Sequence, residues 1–245
     1  MFMLTLRSEE YSPRTLHDYE YRVESLVEFL DDPPFLDITT FDIRKWLVWL
    51  RDDYKSPRGH ALTAKTVYNY WTAMRSFFRW AQEDGLIEEN PSLAVKAPRW
   101  QDNRPDPFTQ EEVKLLADAA LSGGWDQLRR RNRAIIVVLV DTGVRASELL
   151  SLDLCDLDLK RDRLWVVGKG NKGRHVPFSF TAKRWILRYL VDRGDDPGPL
   201  FLSFRNDTIT YSALRSLIGR LGEEAGVHDA RAHRFRHTFA VNFLR

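Results

Sequence analysis

A chain of 245 residues with 43% hydrophobic and 12% aromatic content is long enough to bury two cores and too apolar to be disordered. No apolar run approaches the roughly 18 residues of a membrane span. The start MFMLTLRSEEYS lacks a basic stretch followed by a sustained apolar one, and the single Cys155 rules out an internal disulfide and argues against a thiolate zinc site, which together predict a cytoplasmic protein. The formal net charge of +2 is unevenly spread: residues 1–97 hold 12 Lys and Arg against 16 Asp and Glu, and residues 98–245 hold 25 against 19, so the stronger pull on a polyanion belongs to the second part.

The first part reads as a helical bundle. Ser12-Pro13 opens a helix towards Leu30, with a side-chain cap followed by proline at the first helical position. After Pro33-Pro34, Thr39 or Thr40 caps a second helix whose Ile43, Trp46, Leu47 and Leu50 recur at helical spacing. Thr63 starts a third, with Val67, Trp71, Met74, Phe78 and Ala81 on one stripe and Gly85 as its stop. The polar loop between them carries Lys55, Arg58, His60 and Lys65; by residue type alone it suits a solvated surface and phosphate contact equally. KAPRWQDNRPDPF, residues 96–108, has the prolines and charges of an exposed linker between a domain at 1–95 and one at 109–245.

Thr109 and Glu112 form a capping box for a helix with Val113, Leu116, Ala117 and Ala120 inward. RNRAIIVVLVDTG is an apolar helix stopped at Gly143, and ASELLSL restarts a helix with Arg145 at the junction. From Asp156 to Pro177 the pattern changes to three short antiparallel strands, the last two joined by the glycine-rich turn GKGNKG. A helix follows from Tyr211 to Ala225, and HRFRHTFAVNFLR then sets His233 and Arg236 at i and i+3 on one helical face. His237, one position further round, reads as a packing or hydrogen-bonding residue.

Guanidinium forks grip phosphate oxygens in bidentate fashion, an ammonium serves as a movable point charge, and an imidazole passes protons near neutral pH. Arg145, the lysines of GKGNKG, and the His233–Arg236 pair together describe a phosphodiester site. TGVRASELLSL, GKGNKGRHVPF and HRFRHTFA resemble, in this order, the three catalytic-domain blocks of the tyrosine recombinases, the phage-integrase and Xer-type family. Phe235 stands where that family commonly has leucine.

The resemblance implies a mainly α fold with a small three-stranded antiparallel sheet, in which a helical core-binding domain and a catalytic domain close on duplex DNA as a clamp. It implies Arg145, Lys169, His233 and Arg236 as catalytic residues, with Lys169 protonating the departing 5′-oxygen and Glu148 orienting the site. Lys55, Arg58, Lys65, Lys172 and Arg174 become DNA contacts. The partners implied are double-stranded DNA and further copies of the chain, from dimer to tetramer, with no membrane, metal or cofactor. The family's nucleophilic tyrosine follows the last block, whereas the tyrosines here are Tyr11, Tyr19, Tyr21, Tyr54, Tyr68, Tyr70, Tyr189 and Tyr211, all upstream of it. A polypeptide of these residues is therefore expected to bind DNA without cleaving it, either as a recombinase lacking its covalent half or as a DNA-binding remnant that occupies recombination sites.

Overall fold

The computed structural model describes residues 1–101, 105–122, 126–168 and 172–243, apart from the side chain of Gln127. The chain divides into two compact units, Met1–Asn103 and Arg104–Arg245. Among the described residues no helix is long and apolar enough to cross a membrane.

The first unit contains α1 (Phe2–Ser8), α2 (Pro13–Phe29), α3 (Thr40–Asp52) and α4 (Ala64–Glu83). Each expected start is a working cap: Ser12 accepts from the Thr15 N–H, Thr39 from Asp42 and Thr63 from Thr66. The core forms where the two sequence stripes meet, with Ile43, Trp46 and Leu50 of α3 against Val67, Tyr70, Met74 and Phe78 of α4, and Leu26 of α2. Trp71, read as part of the apolar stripe, is only partly buried, because its indole N–H reaches out to the Val95 carbonyl at 3.2 Å. α1 has no counterpart in the sequence reading. It lacks a side-chain cap and is held by tertiary contact instead: Phe2 packs on Tyr19, Phe77 and Trp80, and the Trp80 indole donates to Thr5.

The second unit is organised around α6 (Asp126–Thr142), whose Ala134, Ile135, Ile136, Val138 and Leu139 are fully buried. From Ala134 to Val140 this helix is apolar on all sides and must be covered on all sides. α5 (Gln110–Ala119), α8 (Phe180–Arg193) and α10 (Ala232–Phe243) pack on it, α9 (Tyr211–Ala225) packs on α5, and the short α7 (Ala146–Leu150) follows the turn at Gly143. The sheet is antiparallel in the order β1 (Leu157–Asp158), β2 (Arg163–Val167), β3 (Gly173–Pro177), with Leu164 opposite Val176 and Val167 opposite Gly173. Leu164, Val166 and Val176 enter the core, whereas Trp165 and Val167 face outward.

Candidate active site

Thr142 ends α6, and Gly143, at φ +59°, makes a left-handed turn that side chains adopt only under strain. Val144 is buried, and Arg145 becomes the N-cap of α7 with extended backbone. The turn is pressed from the other side. A Cβ at Gly143 would run into the Phe239 ring of α10, and the Arg236 guanidinium donates to the Gly143 carbonyl at 2.6 Å. The block carrying Arg145 and the block carrying Arg236, far apart in sequence, are thus in direct contact.

Glu148 is the centre of the local charge network. It is 3% exposed, yet three groups converge on its carboxylate. The Arg145 backbone N–H and guanidinium each donate to it at 2.8 Å, and the Arg174 guanidinium grips it with two bonds of 3.0 and 2.9 Å. Burial alone pushes this carboxyl up, but the bonds from Arg174 and Arg145 and the charge of Arg174 outweigh it and hold it at about 2. The same pairing raises the Arg174 guanidinium above its ordinary value. A carboxylate kept ionised at neutral pH between two guanidinium groups fixes their orientation while leaving the side chains of Arg145 and Arg174 51% and 41% exposed for a further anion.

Arg174 and Arg236 border one groove of about 400 Å³ with Thr142, Gly143, His175 and Phe239. The structure therefore brings Arg145, Glu148, Arg174 and Arg236 into a single neighbourhood. His233 is exposed in the first turn of α10, one turn before Arg236. It lines a second, larger groove of about 730 Å³ with Tyr211, Arg215 and Glu223 along α9. Arg174 and Arg236 thus meet at the smaller of the two grooves and His233 lines the larger. Lys169 lies outside the described residues. The root of its turn is described: Gly168 N–H bonds the Lys172 carbonyl at 2.9 Å, and a Cβ at Gly168 would be 3.4 Å from the Glu148 carboxylate. Lys172 is exposed beside it.

In the first unit the loop with Lys55 and Arg58 is a tight hairpin, with Lys55 bridged to Ala61 and the Ser56 N–H bonded to the His60 carbonyl. Both cations are exposed, as is Lys65 at the start of α4.

Two features escape sequence reading. Arg174, expected to touch DNA, is committed on one side to Glu148. Arg234, flanked by the two motif residues, is a buried staple: it donates to the Asp106 carbonyl at 2.8 Å, to the His228 carbonyl at 2.7 Å and to Glu112 at 3.1 Å, and lies 4.0 Å over the Phe108 ring. An arginine at a core-facing position of an otherwise apolar stripe is the only sequence signal for it.

Two family descriptions match this chain: the phage integrase family over residues 107–245, and the phage integrase N-terminal SAM-like domain over residues 1–85. The chain belongs to the phage integrase family, the tyrosine recombinases. Among its relatives, tyrosine recombinase XerC of Bacillus pumilus (strain SAFR-032) is 32% identical over 255 residues, covering 100% of this chain and 82% of the relative. XerC of Alcanivorax borkumensis is 31% identical over 251 residues, covering 99% and 79%. Of solved structures, XerA recombinase is 26% identical with a TM-score of 0.51, covering 99% of this chain and 82% of that one. A lambda integrase(75-356) dimer bound to a COC' core site shares the fold, at 21% identity and a TM-score of 0.78 over 100% of this chain and 87% of that one.

Proposed function

We propose that this chain binds duplex DNA in the cytoplasm and that Arg145, Lys169, His233 and Arg236 form the phosphate-activating part of a strand-transfer site. The observation that carries this reading is the meeting of the two motif blocks, with Arg236 bonded to the turn that presents Arg145 and Glu148 fixing Arg145 in place. Guanidinium groups so held neutralise the non-bridging oxygens of a phosphodiester and stabilise the charge that grows as phosphorus becomes five-coordinate. In this reading His233, one helical turn before Arg236 on α10, hydrogen-bonds the same phosphate. In a complete reaction a tyrosine oxygen attacks phosphorus, the bond to the 5′-oxygen breaks, Lys169 gives that oxygen a proton, and a 3′-phosphotyrosyl link conserves the phosphodiester energy, so no nucleotide or metal is required.

Lys55, Arg58, Lys65 and Lys172, all exposed, supply contacts to the DNA backbone. Arg174 serves first to orient Glu148 and Arg145. Self-association on DNA, as dimer or tetramer, belongs to the same reading, supported by solved relatives described as a lambda integrase dimer on a core site and a tetramer on a Holliday junction.

None of the tyrosines in this sequence is placed as the nucleophile in this reading: Tyr70 and Tyr189 are buried, burial being the main cause that raises both phenols, and Tyr189 accepts a bond from the Leu202 N–H. Tyr211 is exposed, in the groove that His233 lines. The test is labelled duplex titrated at several salt concentrations, followed by denaturation in SDS. Binding should weaken with salt by roughly 0.9 in log affinity per log salt for each phosphate engaged, and the 245-residue polypeptide should leave no SDS-stable adduct. Salt-independent binding overturns the DNA reading, and an adduct mapped to Tyr211 or another tyrosine of this sequence overturns the assignment of roles.

A further inference from the structure

α4 carries two rings flanked by two cations along its length: Lys65, Tyr68, Trp71 and Arg75. The Arg75 guanidinium lies 5.2 Å from the Trp71 ring centroid, and the Tyr68 and Trp71 rings are 5.6 Å apart. The segment after α4 adds one more ring to this ladder. The Trp71 indole holds the Val95 carbonyl, and five residues on, Trp100 packs on Tyr68 with centroids 5.7 Å apart. The Lys65 ammonium then sits 3.3 Å over the Trp100 ring and 5.0 Å from that of Tyr68.

Lys183, by contrast, is paired with the Asp162 carboxylate. Among the described residues no carboxylate pairs with Lys65. A carboxylate would fix the ammonium and cancel its charge. A ring face attracts the ammonium by its quadrupole, restrains a long flexible stem, and leaves the full positive charge with donors on the side away from the ring. Orientation without neutralisation is what a group contacting phosphate needs, since the ordering of its side chain is then completed before binding.

We propose that Trp100 is a positioning residue for DNA engagement: it orients Lys65, from outside α4, for contact with a backbone phosphate. The proposal rests on the duplex-binding reading above. Trp100 is not itself a phosphate ligand, and its effect passes through Lys65.

The test uses the full chain and a fluorescein-labelled 30-base-pair duplex, with affinity measured by anisotropy at four salt concentrations for the native chain, Trp100→Leu, Trp100→Phe, Lys65→Gln and the Trp100→Leu/Lys65→Gln pair. Trp100→Leu should weaken binding by about three- to tenfold, in keeping with a cation–ring contact. Its salt slope should fall towards that of Lys65→Gln, by roughly 0.9 at most. Trp100→Phe, which keeps a ring face, should recover most of the loss, and the double variant should bind no more weakly than Lys65→Gln alone. A structural role for Trp100 predicts instead a loss that adds to that of Lys65→Gln and leaves the salt slope untouched; that result overturns the proposal. So does a gain in affinity for Trp100→Leu, which would mean that the ring withholds Lys65. Failure of the native chain to bind the duplex at low salt would overturn the duplex-binding reading, and the Trp100 proposal with it; native binding without coupling between Trp100 and Lys65 overturns this proposal alone.

Discussion

Replacing Glu148 by glutamine keeps its shape and removes its charge, and the consequence can be worked from its environment. Its carboxyl is brought from an ordinary value of 4.5 to about 2 in the folded chain. At about 1.36 kcal/mol per pH unit this corresponds to about 3 kcal/mol of stability. The sign follows from the direction of the change. A carboxyl depressed on folding contributes fully above its unfolded value, near 4.5, and the contribution disappears as pH falls towards 2. Glu148→Gln should therefore unfold more easily at pH 7 by about 3 kcal/mol, visible as a fall of roughly 6–12 °C in the melting of the second unit. The gap to the native chain should narrow steadily below pH 4.5, because Glu148 of the unfolded chain takes up its proton there while the folded chain keeps the carboxylate ionised down to about 2. Denaturant titrations of both proteins at pH 7, 4.5 and 3 measure it. A gap of the same size at pH 3 and pH 7 would refute the argument, since it would show that packing rather than charge sets the value of this side chain.

Gly143→Ala places a Cβ in the Phe239 ring at a positive φ, and should cost about 2–5 kcal/mol in a thermal or denaturant melt through combined overpacking and backbone strain. Adding Phe239→Ala should recover the packing part only. Arg234→Met removes bonds to Asp106, His228 and Glu112 from a buried position and should destabilise the second unit by about 3 kcal/mol or more in the same assay. Thr109→Ala, which deletes one half of a capping box, should cost only about 1 kcal/mol.

The fold was legible in the sequence wherever its cause is local. Thr39, Thr63, Thr109 and Thr210 cap helices because a short hydroxyl reaches an N–H three residues on, and Ile43, Trp46 and Leu50 align because a helix repeats every 3.6 residues. The strands were legible from the change of period and the turn chemistry around Asp162. Resemblance of the three motif blocks located Arg145 and Arg236, and composition alone could not have done so. Apart from α8, which Ser179 caps locally, what escaped has no local cause. Arg174 reaches Glu148 across 26 positions and Arg234 reaches Asp106 across 128, and neither spacing leaves a periodic trace. α1 was missed because its seven residues depend on Trp80 rather than on a cap. In the sequence Lys65 is a cation at a loop-to-helix junction, and nothing in the order of residues places Trp100 beneath it.

The bonds of Arg234 also bear on the order in which the second unit comes together. The Phe108 N–H is satisfied by Thr238, 130 positions later, and the Glu112 carboxylate by Arg234, 122 positions later. The segment that enters this unit and the helix that carries the paired His233 and Arg236 therefore complete each other, although the ribosome makes them more than a hundred residues apart. Contacts of such long range are closed late and slowly, after local helices have formed. Residues 106–112 must wait, partly unsatisfied, until α10 has been synthesised and docked. The same docking lays Arg236 on Gly143, so the blocks that carry Arg145 and Arg236 meet only once α10 is in place.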